Sequence, residues 1–334
     1  MFQNAQHFHI ATVTWHLKKK YTMAIFEIKD KKVHRIKPTE FKLEKDLQSL
    51  VEQNLETFFN CRFIASEFST GNIHSGRIDT LAISEDNNPV IIEYKKVASS
   101  DLINQSLFYL HWITDHKGDF QIAVNNALKK NIEVDWSDIR VICIAPEFKK
   151  YDLHAVQVMG ANIELWQYKI YENGIINIEV VYKRTETRTH TSIENNGKNP
   201  IMIEAGKKAA ETRKNAIYTI DEHIDKVNTD LEDLLNEIRE YIVNLDTSIE
   251  EAPKKYYIAY KTTQNFVCIE TQKKKLVLFL KLNPDEEEKL PKQARDVRKI
   301  GHFGTGDLEL TIKNITDFED TKELINKSLI NIGG

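Results

Sequence analysis

The chain has 334 residues, 41% apolar and 29% charged, with 46 basic side chains against 50 acidic ones and a formal net charge of −4. These proportions exclude a disordered polymer, and no apolar run reaches the roughly 18 residues that a membrane-spanning helix needs. The acidic balance also removes the simplest case for a globally basic nucleic-acid binder, so any site for a polyanion must be local. With 12 glycines and 7 prolines, regular elements should dominate. Cys61, Cys143 and Cys268 are far apart and form no CxxC pair, which supports neither a disulfide framework nor a thiolate zinc site. The N terminus has no apolar signal core, and a reducing cytoplasm is the expected compartment.

The length suggests about two domains. Residues 1–22 read as an extension whose His7, His9 and His16 are expected to be solvated. Ile25, Ile28, Val33 and Ile36 flank Lys29-Asp30-Lys31-Lys32, the pattern of a β-hairpin. Pro38-Thr39 should open a helix running to about Phe59, with Leu43, Leu47, Leu50, Val51, Leu55 and Phe58 on its apolar stripe. Strands are expected at 62–68, 77–83, 90–94 and 141–145, helices at 102–115 and 151–159, and a hairpin over 163–182. That order suggests an α/β domain with one mixed sheet flanked by helices, spanning residues 23–183. Residues 184–200 lose nearly all apolar character and read as a linker. A helical connector follows over 201–250, its helix at 218–245 carrying a seam from Ile224 to Leu245 that should pack on its own domain or dimerise the chain. Residues 251–334 read as a second, smaller α/β domain, with strands at 256–260, 266–270, 276–281 and 308–312 and a helix over 317–330.

Chemistry concentrates in Gly76-Arg77-Ile78-Asp79, followed by Pro89-Val90-Ile91-Ile92-Glu93-Tyr94-Lys95-Lys96. On a strand, Glu93 and Lys95 project from one face while Ile92 and Tyr94 face the other. A turn through Glu85-Asp86-Asn87-Asn88 can bring Asp79 back beside Glu93. Two adjacent carboxylates repel unless a cation lies between them, and hard oxygen ligands suit Mg²⁺ or Mn²⁺. Lys95 is then placed to orient or deprotonate a water and to offset charge on a phosphate. Glu-x-Lys alone is uninformative, because it recurs at Glu27/Lys29, Glu40/Lys42, Glu147/Lys149 and Glu287/Lys289. Only Glu93/Lys95 ends an apolar strand that follows an acid-bearing one. On the first helix, with Leu47 at zero, Glu44 falls at about 60°, inside the apolar stripe, and Glu52 at about 140°, towards solvent. Gln105 and Tyr109, four apart, share a helix face and could contact phosphate or Lys95.

These motifs together resemble the PD-(D/E)xK superfamily of restriction-endonuclease-like nucleases, and within it RecB-type domains and archaeal single-strand or mismatch endonucleases. The likeness covers about residues 40–115, and the fold is expected to extend to about 182. It implies Asp79 and Glu93 as metal ligands with the Tyr94 carbonyl, Lys95 as the water-activating lysine, Glu44 as the helical acid, and Gln105 with Tyr109 as an accessory motif. Ile78 stands where the name-giving proline would precede Asp79, which removes no ligand. The C-terminal region resembles an uncharacterised domain attached to such nucleases. The expected function is therefore a Mg²⁺- or Mn²⁺-dependent DNA endonuclease, compatible with restriction, phage defence or repair, with RNA left open as substrate. Arg77, Lys96, Lys207 and Lys208 are candidate backbone-phosphate contacts. One alternative is a nuclease fold that binds nucleic acid or protein without cutting; another is an assembly protein driven by the 224–245 helix. Gly301, Gly304 and Gly306 read as a turn, because a strand follows them and not a helix opening with Lys-Ser/Thr.

Overall fold

The computed structural model describes residues 24–71, 76–97, 101–158, 161–183 and 218–333. The N-terminal extension, the 184–200 linker, and Lys207 and Lys208 lie outside the described residues. The chain divides into two units, residues 1–40 with 169–177, and residues 41–168 with 178–334.

In the first unit, β1 (Phe26–Lys29) and β2 (Lys32–Arg35) form the expected antiparallel hairpin. Asp30 and Lys31 both take positive φ, 49° and 64°, as a two-residue turn matching the strand twist requires. Pro38 and Thr39 do not open a helix as expected; they form β3 (Pro38–Thr39), paired with Tyr171 and Ile170. Proline has no N–H to donate, and the first residue of an edge strand tolerates that loss.

In the second unit the first helix begins at Glu44, and it is two helices. α1 (Glu44–Glu52) and α2 (Leu55–Phe59) are separated by Gln53 and Asn54. Leu43, expected on the buried stripe, is instead the extended N-cap residue and is 63% exposed. Its backbone N–H donates to Asp46 Oδ2 at 2.9 Å. Five strands follow in the spatial order β8-β7-β6-β5-β4: β4 (Cys61–Ser69), β5 (Arg77–Ser84), β6 (Pro89–Tyr94), β7 (Arg140–Ala145) and β8 (Asn162–Tyr171). β4, β5 and β6 pair antiparallel, while β6, β7 and β8 pair parallel. The change of sense follows the connections, since parallel neighbours need a crossover. α3 (Asp101–Asp115) and α4 (Lys117–Leu128) join β6 to β7, and α5 (Lys150–Val158) joins β7 to β8. α4 escaped the sequence reading because it buries only Phe120 and Val124, too few to mark a stripe. β9 (Ile175–Tyr182) pairs with β8.

The sheet is buried on both faces. Leu81, Ile91, Val141, Cys143 and Ile163 pack with Leu107, Leu110 and Phe120 of α3 and α4. Ala82, Val90, Ile92, Tyr94 and Ile142 pack with Leu47, Val51, Leu55 and Phe59 of α1 and α2. A strand set buried on both sides reads as continuous apolar sequence, which explains the Pro89–Ile92 run.

The same unit contains a second, antiparallel sheet of order β10-β11-β12-β13-β15-β14. Its strands are β10 (Glu250–Pro253), β11 (Ile258–Lys261), β12 (Asn265–Gln272), β13 (Lys275–Leu280), β14 (Ala294–Asp296) and β15 (Leu308–Ile312). The unforeseen β10 and β14 are short edge strands without apolar alternation. The single helix expected over 218–245 is two, α6 (Ile220–Ile224) and α7 (Thr229–Val243). Asn228 caps α7, its Oδ1 accepting from Leu231 N–H at 3.2 Å. The seam packs on the second sheet, with Leu231, Leu235, Ile238 and Ile242 buried against β11 to β15. The helix expected over 317–330 likewise divides into α8 (Ile315–Glu319) and α9 (Lys322–Asn331). Gly306, at φ 137°, lies where a Cβ would come within 2.5 Å of Leu280 O, and one on Gly304 would come within 2.7 Å of the Phe279 ring, so these two glycines are close-packed while Gly301 lies in open space.

The β5–β6 turn plugs into this second sheet. The Asp86 carboxylate accepts from Tyr257 OH at 2.7 Å and Asn265 Nδ2 at 2.8 Å, and pairs with Lys254 Nζ at 3.2 Å. Burial acts to raise its pKa, but Lys254, Lys261 and these hydrogen bonds together hold it below the ordinary value. Neighbouring Glu85 fares differently. Burial, then Asp86, push its pKa up to about 7 against the partial relief of Asn265 N–H and Lys281, and among the described residues its Oε2 has no hydrogen-bond partner. A carboxyl with a raised native pKa binds more protons folded than unfolded, so its contribution to stability falls as pH rises from about 4.5 to 7. Glu85→Gln is expected to stabilise the protein at pH 8 by on the order of 2 kcal/mol and to have little effect at pH 4.5. Urea unfolding at the two pH values checks this; equal changes at both would remove Glu85 as the titrating group.

Candidate active site

Thr80 pairs with Ile92 in the β5–β6 ladder. One step further, Asp79 and Glu93 stand opposite each other on one face. There the main-chain ladder gives way to side chains: Asp79 N–H donates to Glu93 Oε1 at 3.1 Å, and Tyr94 N–H donates to Asp79 Oδ2 at 3.1 Å. Glu93 is fully buried, and among the described residues its Oε2 has no hydrogen-bond partner. Burial, then the Asp79 charge, drive the Glu93 carboxyl well above its usual pKa. Burial raises Asp79 too, against the Tyr94 amide and Lys95, which lower it.

Lys95 Nζ lies 3.2 Å from Glu44 Oε1, and Glu44 Oε2 accepts from Lys96 N–H at 2.8 Å. The acid at the start of α1 therefore holds the lysine and the backbone beyond β6. It does not make a third carboxylate of a cluster: among the described residues no group of three or more His, Cys, Asp or Glu could hold a metal ion. Asp79 and Glu93 remain as a pair of hard oxygen donors, and the orphaned Glu93 Oε2 is a buried acceptor with nothing to satisfy it. A divalent cation with open positions for water fits that pair. The Tyr94 side chain points away, its OH 3.1 Å from Thr80 Oγ1 on the α1 face.

Gln105 and Tyr109 meet at the entrance to β5. Tyr109 OH accepts from Gln105 Nε2 and from Arg77 N–H, both at 3.1 Å. The Tyr109 ring lies where a Cβ on Gly76 would come within 2.8 Å of Cε1, so only glycine fits beneath it. The pair thus positions the chain two residues before Asp79. Of the candidate phosphate contacts, Arg77 is exposed and lies 3.4 Å from Glu67, while Lys96 Nζ donates to Lys42 O at 2.6 Å.

Three residues near the site were missed or misplaced. Gln48, buried, donates from Nε2 to Asp79 O at 2.7 Å and to Glu52 Oε1 at 2.9 Å. Glu52 does not face solvent as expected: its Oε1 accepts from the buried Thr80 Oγ1 at 2.7 Å. The wheel that selects Glu44 places Gln48 at about 100° and Glu52 at about 140°, so the i, i+4, i+8 row was legible as one polar edge of the stripe. Glu67, which falls opposite Asp79 on β4, takes φ 53° and bridges Lys45 and Arg77. No local sequence signal marks that backbone. The cysteines are buried free thiols, and burial pushes Cys61 up to about 11 and Cys143 and Cys268 up to about 12, away from thiolate chemistry.

Fold and site together define a mixed α/β protein in which two carboxylates, a lysine and a helical glutamate converge where β5 and β6 part. The chain belongs to the family of an uncharacterized protein of Haemophilus influenzae, to which it is 32% identical over 311 residues, 92% of this chain and 99% of that protein. The family described as a domain of unknown function, DUF5655, matches residues 220–328, from α6 into α9. Among solved structures, EndoMS in its apo form is 19% identical with a TM-score of 0.27, covering 39% of this chain and 48% of that one. A repair endonuclease from Pyrococcus abyssi is 17% identical with a TM-score of 0.22, covering 37% and 47%. The chain thus spans about half the length of each, and likeness at this level carries no argument about activity. No helix among the described residues is long and apolar enough to cross a membrane.

Proposed function

We propose that the protein is a cytoplasmic, divalent-metal-dependent phosphodiesterase that hydrolyses DNA internally, with the restriction-endonuclease-like site at Asp79, Glu93 and Lys95. The observation that carries this reading is the buried, unsatisfied Glu93 Oε2 beside Asp79, with Lys95 two residues on and held by Glu44. Asp79 and Glu93, with the Tyr94 carbonyl, are the groups to hold Mg²⁺ or Mn²⁺. The bound metal would supply Lewis-acid stabilisation of the oxygens on phosphorus. Lys95 orients the attacking water and offsets the charge that builds on the phosphate. Glu44 fixes the lysine's direction, Gln48 pins the Asp79 backbone to α1, and Tyr109 with Gln105 holds the entry to β5. Arg77 and Lys96, with Lys207 and Lys208, would contact the flanking backbone.

The test is incubation of the pure chain with labelled single- and double-stranded DNA and RNA, in Mg²⁺, Mn²⁺ or chelator. Metal-dependent internal cuts in DNA support the proposal. A second reading, a binding module that does not cut, is favoured by the ion pair in which Glu44 holds Lys95 away from a free role. Metal-independent nucleic-acid binding with no cleavage in any arm selects it.

A further inference from the structure

A cavity of about 1160 Å³ opens between the first sheet and the C-terminal domain, at the end of β5 opposite Asp79. Asp79 and Glu85 are six residues apart on that strand, about 20 Å at 3.3 Å per residue. The acids of the β5–β6 turn at the cavity are already engaged by Lys254, Lys281, Tyr257 and Asn265. Three cations in the wall are not. Among the described residues, half-buried Arg62 donates only to Asn87 Oδ1, and no carboxylate lies within ion-pairing distance of it. Burial pushes its guanidinium below the ordinary pKa, the mark of a desolvated cation short of an anion. Lys117 and Lys130 are exposed, and among the described residues Lys117 meets only the Trp136 ring, 5.1 Å away. The same wall carries an aromatic platform. Phe303 stacks on Tyr256 at 4.1 Å and 22°, yet remains 55% exposed, so its outer face is free. Beside it, His302 stacks on Phe279 at 4.3 Å, with its Nδ1 buried and without a hydrogen-bond partner.

An open ring face lining the same cavity as uncommitted cations matches the chemistry of a base joined to a phosphate, because every nucleobase offers a π-face and every nucleotide an anion. We infer that this cavity is a nucleotide-binding site, taking a base on Phe303 and its phosphate on Arg62, with Lys117 and Lys130 following the backbone. The site stands apart from the proposed catalysis and needs no divalent ion. Its occupant is a strand of nucleic acid or a free nucleotide, which share this chemistry.

Fluorescence anisotropy of the full chain with a labelled short oligodeoxythymidylate, and competition by free thymidine monophosphate, both in chelator, tests the inference. Phe303→Ala is expected to weaken binding at least about five-fold, the lower end for losing one base–aromatic stack, and Phe303→Trp to restore it. Arg62→Gln should weaken binding and reduce the slope of log K against log salt by about 0.7, one phosphate contact on a single strand. The exposed pair Lys117→Gln and Lys130→Gln gives the same readout where Arg62→Gln perturbs folding, as thermal melting reports. Competition by the mononucleotide identifies a free nucleotide as occupant, and oligonucleotide binding without it identifies a strand. Absence of binding by both probes, or binding unchanged in the Phe303→Ala and lysine variants, overturns the inference. Because cleavage is not read, a protein that proves not to be a nuclease leaves the result intact.

Discussion

Lys95→Ala is expected to lower metal-dependent cleavage by about 10²–10⁴-fold, the range for losing a positioned proton-transfer or charge-stabilising group. Lys95 is half-buried and held by Glu44, so its removal frees one partly exposed carboxylate and opens no core cavity. Folding should be retained. Asp79→Asn separates chemistry from stability more sharply. The asparagine keeps an oxygen to accept the Tyr94 N–H, but it removes a charge whose burial costs the folded state, as the raised pKa of Asp79 shows. Cleavage should fall by at least about 10²-fold while the melting temperature rises, the trade expected where an active site holds electrostatic strain. Cleavage and melting curves measured on the same preparations check both halves. Full activity in either variant would end the assignment of this site.

The largest effect on stability is expected from Asp86→Ala. Its carboxylate gathers Lys254, Tyr257 and Asn265, and the last two are buried. Truncation leaves a half-buried ammonium and two buried polar groups without their acceptor, a loss of about 3 kcal/mol. Adding Lys254→Met should recover part of it, because the stranded charge is then gone. Urea denaturation of wild type, both single variants and the double variant measures the coupling. A loss below about 1 kcal/mol for Asp86→Ala would mean that the turn is not a significant anchor for the second sheet.

Most of the strands were legible in the chain. Alternation put Glu93 and Lys95 on one face, and the polar turn through Glu85-Asp86-Asn87-Asn88 allowed Asp79, fourteen residues before Glu93, to return beside it; the register that sets the two acids opposite each other came from the structure. The buried run Pro89–Tyr94 and the hairpin at Asp30-Lys31 were equally plain, as alternation and turn chemistry are local properties. Helix boundaries were less so. The stripe from Leu43 to Phe58 continues through the break at Gln53 and Asn54, and that from Ile224 to Leu245 through the Asn228 cap, since apolar spacing registers a shared partner surface and not continuous hydrogen bonding.

What the sequence by itself determined is where the candidate acids and the lysine lie along their strands, and that Glu93 and Lys95 project from one face, because side-chain alternation is set by backbone geometry within a few residues. Only the tertiary structure decided that Glu44 meets Lys95, that Gln48 and Glu52 turn inward onto Asp79 and Thr80, and that Glu85 and Asp86 lock into the C-terminal domain 170 to 180 residues away. Those contacts depend on how helices and sheets dock, and docking is set by the summed burial of surfaces remote in the chain, which no local pattern records.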